Sequence, residues 1–402
     1  MKANFVKRDE ALLIVGQGIS KLGDSIQKVA SLLLIYTLTD SPEITGMLAL
    51  VSTLPKLLFG FYAGAFADRY ERKKIIVISD IITLILYISV PVADFFQLLS
   101  VEYLFVVMFL IGISRTFFYP ALKGITPEVV EKERLSWFNS TDEVFSEISA
   151  MAGPLIAGIL SHFIGNENLF LINGITFVVS VITVINVRVA FRNDEELNEN
   201  RKRKISTIIF DGFKYVYNKK IVLYLILVFP LFTLISAGLT DIALLPFVED
   251  ILGKTSVEYG MLESAISVGV FIGGFISFLI KNTNKFNMFL VGIIGSGLVF
   301  IIFGLNSNFY IALAILVVLG IAFSFLDVCM VTLIQESVEE SMLGRVFSLW
   351  SILACGGDAV SYLYISVILA VINIKLSFVV GGAILVLVSI IGGVIQKRLS
   401  VD

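Results

Sequence analysis

Gly64-Ala-Phe-Ala-Asp-Arg-Tyr-Glu-Arg-Lys-Lys74 lies between two long apolar runs, and its reading decides the fold. Asp68, Arg69, Arg72, Lys73 and Lys74 cannot rest in hydrocarbon, so the segment marks a tight turn at a membrane face. Its excess of cations predicts that this face is cytoplasmic. Gly60, Ala63, Gly64 and Ala67 precede the turn. Such small residues predict close approach of a neighbouring helix.

Composition points the same way. The chain has 402 residues, of which 57% are hydrophobic and 16% charged, against about 25% charged in a soluble domain. Its mean hydropathy is +0.93. These values define a membrane protein that crosses the bilayer many times. The net charge of −3 decides little, because the distribution of charge carries the information. Cys329 and Cys355 both sit in apolar runs, with neither a disulfide framework nor metal-ligand spacing. Met1 to Glu10 is polar and lacks the short apolar core of a signal peptide, so the first span is expected to be retained.

A membrane span needs roughly 20 mostly apolar residues. Twelve stretches qualify: 11–37, 43–66, 75–98, 101–119, 138–163, 167–190, 221–247, 256–280, 286–304, 308–335, 343–370 and 373–396. The expected fold is an all-α membrane protein of two six-helix bundles, 1–190 and 221–402, joined by a polar linker at 191–220. That linker holds Asn193-Asp-Glu-Glu196 and Arg201-Lys-Arg-Lys204, a topology signal rather than a nucleic-acid site. With both termini inside, the external loops hold only Lys254 and Lys375, a bias that fixes the expected orientation. The halves repeat. Glu128, Val130, Glu131 and Leu135 match Glu336, Val338, Glu339 and Leu343 at a constant offset of 208, and Gly64 matches Gly274 at 210. Lys281 and Lys285 follow in the second loop, which lacks the acid because Phe278 falls where Asp68 would. Parallel repeats of this kind fit a transporter with its site between the halves.

Ionisable residues inside a bilayer are costly and face protein or water. Span one carries Gln17, Lys21, Asp24 and Lys28, spaced 4, 3 and 4, with Ser20, Gln27 and Ser31 on the same side. This stripe reads as a cavity wall; the blander alternative is internal pairing of Asp24 with Lys21 and Lys28 one turn away. Lys56 lies mid-span beside Pro55, and Arg115 in the inner part of span four. Asp142, Glu143 and Glu147 enter span five, offering an Arg115–Glu147 or Arg115–Glu143 pair that is structural or functional on equal terms. The second half offers only acids: Asp241, Glu263, Asp327 and Asp358. The asymmetry reads either as ion pairing across the halves or as a cavity for a zwitterionic or amphiphilic solute with one acid exchanging protons. Desolvation favours the neutral form of a carboxylic acid, the property a proton carrier needs. His162, the only histidine, falls at an external span end, which argues against a histidine relay. Spans six, nine and twelve have no charge in their middles, and span three reads as carrying acids only near its ends. These four are the expected lipid-facing supports.

The loop at Gly64–Lys73 matches G-x-x-x-D-R-x-x-R-[RK], and with it the chain resembles the major facilitator superfamily over nearly its whole length. Gln17-Gly-Ile-Ser-Lys-Leu-Gly-Asp-Ser-Ile-Gln-Lys-Val-Ala30, Arg115-Thr-Phe-Phe-Tyr-Pro120, Gln335 and Leu343-Gly-Arg-Val-Phe-Ser348 resemble the drug-efflux branch that includes macrolide efflux proteins and enterobactin exporters. The resemblance implies gate roles for Gly64, Asp68, Arg69, Arg72, Gly344 and Arg345. In span five, Gly153-Pro154-Leu-Ile-Ala-Gly158 is similar to the Gly-Pro motif of antiporters, departing from it at Ser149 and Ala157. Gly153 and Pro154 then join the gate set, and proton antiport is implied, with coupling assigned to Asp24, Glu147, Asp327 and Asp358. Gln17, Lys21, Lys28, Lys56, Arg115, Asp241 and Glu263 would line the substrate cavity.

No phosphate-cradling loop, zinc-ligand spacing or nucleophile triad is present in the sequence, so an enzyme is not expected, nor a cofactor, a resident metal or a nucleic-acid partner. The leading expectation is a monomeric secondary transporter in the plasma membrane of a bacterium. It would export a drug, siderophore or metabolite against protons. One alternative is a facilitator or cation-coupled carrier of a metal ion or lipid; another, of a different class, is a non-transporting membrane sensor.

Overall fold

The computed structural model describes residues 2–188, 213–279 and 284–399; most of the expected linker, including the basic run at 201–204, and Lys281 lie outside them. Twelve long helices run α1 Lys2–Thr39, α2 Pro42–Arg69, α3 Arg72–Phe95, α4 Val101–Val129, α5 Leu135–Ile164, α6 Asn166–Asn186, α7 Lys220–Gly238, α8 Ser256–Leu279, α9 Lys285–Leu305, α10 Phe309–Ser337, α11 Glu340–Leu369 and α12 Ile374–Leu399. No strand occurs among the described residues. A chain in lipid must satisfy its backbone internally, and helices do so. Among the described residues eleven segments are long and apolar enough to cross a membrane. The exception is α1, whose Lys21, Asp24 and Lys28 interrupt its hydropathy.

Helix α1 starts at Lys2 rather than at residue 11, and two further helices run past their expected ends. The fourth does not stop at residue 119 but continues through Pro120 and Pro127 to Val129. Neighbouring helices allow proline inside a membrane helix by re-satisfying the freed backbone groups. The seventh continues past Gly238 as two π-helical turns, Leu239–Ala243 and Phe247–Ile251, around Leu244–Pro246.

The chain forms two compact units. The first holds Met1–Asp40 and Val51–Ile205, the second Ser41–Leu50 and Ser206–Asp402. Within the first, α1 packs on α5 and α6, and α3 on α4 and α6. Within the second, α7 packs on α11, and α9 on α10 and α12. The α1–α5, α3–α4 and α3–α6 pairs recur six helices later, so the repeat seen at an offset of 208 is in these pairs also a repeat of packing. The first unit is filled by Leu13, Ile76, Phe118, Ile125, Phe138 and Val184. In the second, Phe247, Phe303 and Phe378 form a mutual aromatic cluster with ring centroids 4.5, 4.9 and 5.4 Å apart. Each such pair contributes about 0.5–1.5 kcal/mol beyond its burial. Ile85 on α3, Ile182 on α6, Ile302 on α9 and Ile390 on α12 point outward, where hydrocarbon accepts them.

Close backbone approach is concentrated where small residues face each other. A Cβ at Gly269 or Gly273 of α8 would strike the α10 backbone at Val317, Gly320 and Ile321. Gly153 of α5 lies against Ser25 of α1 in the same way. Gly60 and Gly64 do not follow the expectation, since a Cβ at either meets no atom within 4 Å. Ala63 and Ala67 of the same segment are buried as expected, so α2 packs there through its alanines while the Gly60 and Gly64 positions are open.

Candidate transport site

In the first unit, charge is gathered around Arg115 of α4. Its Nη2 forms an ion pair with Asp24 Oδ2 of α1 and lies 3.1 Å from the Tyr119 hydroxyl. Its Nη1 lies 3.9 Å from Asp80 Oδ1 of α3. Asp80 Oδ2 accepts a hydrogen bond of 2.7 Å from the Ser180 hydroxyl of α6. Three rings surround the guanidinium, Phe118, Tyr119 and Phe177, at 4.2, 4.8 and 5.1 Å from their centroids. Arginine suits such a place because its planar, delocalised cation stacks on rings while forking towards carboxylates. Four helices thus converge on one cation. Gly23, beside Asp24, makes this possible: a Cβ there would strike Asn173 and Thr176 of α6.

This arrangement corrects two sequence expectations and decides against one alternative. Arg115 does not pair with Glu147 or Glu143, because Asp24 and Asp80 reach it from α1 and α3. Asp24 does not pair with Lys21, which instead binds Asp142 of α5 through its carboxylate at 2.7 Å and its backbone carbonyl at 2.8 Å. A shift of three residues along α1 is enough to turn one side chain towards α4 and the next towards α5. Asp80 is no peripheral acid and α3 no plain support, since Asp80 is wholly buried against α6. Its signal was present in the sequence: Asp80, Thr83 and Tyr87 stand at i, i+3 and i+7, and all three are buried. Beside them Thr83 donates to the Ser114 hydroxyl at 2.9 Å, which donates to the Ser79 carbonyl at 2.8 Å.

The rest of the stripe is mixed. Gln17, Ser20, Gln27 and Ser31 are buried, whereas Lys28 and, on α2, Lys56 are exposed. Glu147 is half-buried. In the second unit, Asp241 sits in the first π turn and accepts a 2.8 Å hydrogen bond from the Tyr362 hydroxyl of α11. π turns frequently mark functional positions. Glu263 is buried, with the Tyr259 hydroxyl 3.3 Å away on the same helix. Asp241 and Asp358 both lie within electrostatic reach of Tyr362, and Asp241 and Glu263 of Tyr259. Asp327 stands apart: it is exposed on α10, with no ion pair or hydrogen bond among the described residues. No group of three potential metal ligands occurs among the described residues.

At the loop end, Arg72 ties three elements. Its Nη1 contacts Glu128 Oε1 at 2.6 Å and the Gly124 carbonyl at 2.7 Å, both on α4, and its Nε reaches the Ala67 carbonyl of α2 at 3.4 Å. Lys73 donates to the Ile185 and Val187 carbonyls at 2.7 and 2.8 Å, capping the end of α6. In the second unit Lys285 pairs with Glu336, the repeat counterpart of Glu128. Arg69 is exposed and lines a cavity of about 1080 Å³ between α2, α3 and α4, walled by Tyr62, Phe66, Ile78, Ile82 and Phe117. The side chain of Asp68 lies outside the described residues. Gly344 lies near the start of α11, where Arg345 Nη1 is 3.6 Å from Met342 Sδ.

Twelve long helices in two units of like packing, with ionic clusters held inside the helical layers, define a polytopic membrane transporter. The chain belongs to the transmembrane secretion effector family of the major facilitator superfamily, whose model matches residues 5–400. It is 25% identical over 393 residues to macrolide efflux protein A of Streptococcus pyogenes, covering 96% of each chain. It is 24% identical to the enterobactin exporter EntS of Shigella boydii over 81% of this chain and 77% of that one. Its fold matches the crystal structure of the nucleoside transporter NupG with a TM-score of 0.79 at 13% identity, over 96% and 99% of the two chains. It is a membrane transporter rather than an enzyme.

Proposed function

We propose that this transporter exports an amphiphilic small molecule, a drug, siderophore or metabolite, by proton antiport with alternating access. One observation carries the reading: a buried guanidinium on α4 is held by Asp24 of α1, with a second acid on α3 within 4 Å. A carboxylate that must release an arginine when it gains a proton links proton binding to the packing of helices. Relatives named for macrolide and enterobactin efflux support export of large amphiphiles. In this reading the units 1–190 and 221–402 rock about the site, with 191–220 as their tether. Both termini and the loop at Gly64–Lys74 face the cytoplasm of a bacterial cell, and one chain suffices. Asp24, Glu147, Asp327 and Asp358 are the coupling acids. Gln17, Lys21, Lys28, Lys56, Arg115, Asp241 and Glu263 face the solute. Gly64, Asp68, Arg69, Arg72, Gly153, Pro154, Gly344 and Arg345 serve the gate.

The test is proton movement in proteoliposomes with a pH-sensitive dye inside, on addition of cationic, zwitterionic and anionic amphiphiles that include a macrolide. Proton flux that depends on solute and disappears in Asp24→Asn or Asp327→Asn supports antiport. Solute flux without proton movement sinks it.

A further inference from the structure

Building on the antiport reading, we infer that Asp80 is a second docking position for Arg115, so that proton uptake at Asp24 hands the guanidinium from α1 to α3. The geometry is that of one cation between two unequal anions. Arg115 Nη2 is engaged with Asp24, while Nη1 faces Asp80 Oδ1 at 3.9 Å, and neither of those two atoms has a hydrogen-bond partner. A charge-assisted contact needs about 2.8 Å, so the exchange asks for a movement of roughly 1 Å. The rings of Phe118, Tyr119 and Phe177 give the guanidinium a surface along which to move.

The two acids differ in access. The Asp24 side chain keeps 24% of its exposure and Asp80 none, so water reaches the first and not the second. Asp80 is fixed through Ser180. The titratable groups acting on Arg115 are Asp24, Tyr119, Tyr87 and Asp80. The α6 side chains at this place, Asn173, Thr176, Phe177 and Ser180, are neutral. On α5, Asp142 is committed to Lys21, Glu143 is exposed and Glu147 has interactions of its own; Lys28 and Lys56 are exposed. The step balances: a proton from water joins an Asp24 carboxylate oxygen, the neutral acid lets go of Nη2, and Nη1 closes on Asp80 Oδ1. Loss of that proton to water restores the first pair. The α1–α4 tie is exchanged for an α3–α4 tie, and Asp80 is a positioning residue.

The experiment is infrared difference spectroscopy of the full-length protein in lipid nanodiscs, titrated with pH in the absence of solute and gradient. Asp24→Asn identifies the carboxylic-acid band of Asp24. In Asp80→Asn the guanidinium has no alternative anion, so the midpoint of that band moves towards acid by about one unit or more, a tenfold loss in proton affinity. Asp80→Glu brings it back, and Ser180→Ala, which keeps every charge, moves it in the same direction by less. An Asp24 midpoint unmoved in both Asp80→Asn and Ser180→Ala overturns the docking role; should Asp80→Asn not fold, Ser180→Ala decides. Moved midpoints in a protein that carries solute without protons leave the docking standing and remove antiport. Proton-coupled flux with unmoved midpoints removes the docking alone.

Discussion

The repeat supplies an internal control on what a salt bridge contributes in this protein. Arg72–Glu128 and Lys285–Glu336 occupy matching places at the loop ends of the two units, but their burial differs. The side chains are 12% and 18% exposed in the first pair, and 41% and 55% in the second. Two unit charges 4 Å apart interact by about 4 kcal/mol at an effective dielectric near 20, before the desolvation penalty. After that penalty a coupling of about 1.5–3 kcal/mol is expected for Arg72–Glu128, helped by a fork that also holds the Gly124 carbonyl. The exposed pair should give about 0.2–1 kcal/mol, and lose it in high salt. Two double-mutant cycles measure this: Arg72→Ala with Glu128→Ala, and Lys285→Ala with Glu336→Ala, each by SDS-titration unfolding in mixed micelles. Trp137 reports the first unit and Trp350 the second. Equal couplings in the two cycles would refute the assignment of the difference to burial.

Steric predictions follow from the glycines. Gly269→Val forces apart backbones already in contact on α8 and α10 and should cost about 1–3 kcal/mol, read as a fall in thermal midpoint in detergent. Gly60→Ala fills open space in α2 and should stabilise by roughly 0.5–1 kcal/mol through helix propensity; a loss of stability would mean that this face is packed. Cys329 and Cys355 are buried, so a maleimide should label the native protein slowly and the denatured protein at both sites, by mass spectrometry.

Much of the architecture was legible because a bilayer permits few solutions. Length, hydropathy and cation placement were enough to outline twelve helices and a repeat, and Glu128 and Glu336 turned out to hold corresponding basic partners. Partners inside the membrane were not legible. Sequence spacing places Asp24 one turn from Lys21 and Lys28, yet the direction of each side chain depends on which helix packs where. Only the approach of α4 and α5 to different faces of α1 separates Asp24–Arg115 from Lys21–Asp142. Asp80 lies near the start of its span, where an acid is ordinarily interfacial, so position along the chain hides its burial. Of the four small residues before the loop, Ala63 and Ala67 are buried and Gly60 and Gly64 meet no neighbour, because small residues permit contact without requiring it.

The two π turns of α7 have a consequence for how the halves correspond. Each takes one residue more than an α turn, and one residue amounts to about 100° of rotation. Leu244–Pro246 and the turn after it are therefore roughly 100° out of phase with the segment before Leu239, and the helix ends in the second π turn at Ile251. Phe247 is turned to Phe303 and Phe378 by that one shift as much as by position. Helix α1, α-helical throughout its described length, has no such slip. Residue-by-residue comparison of α1 with α7 thus loses step at the first π turn, although both helices pack on the fifth helix of their own unit.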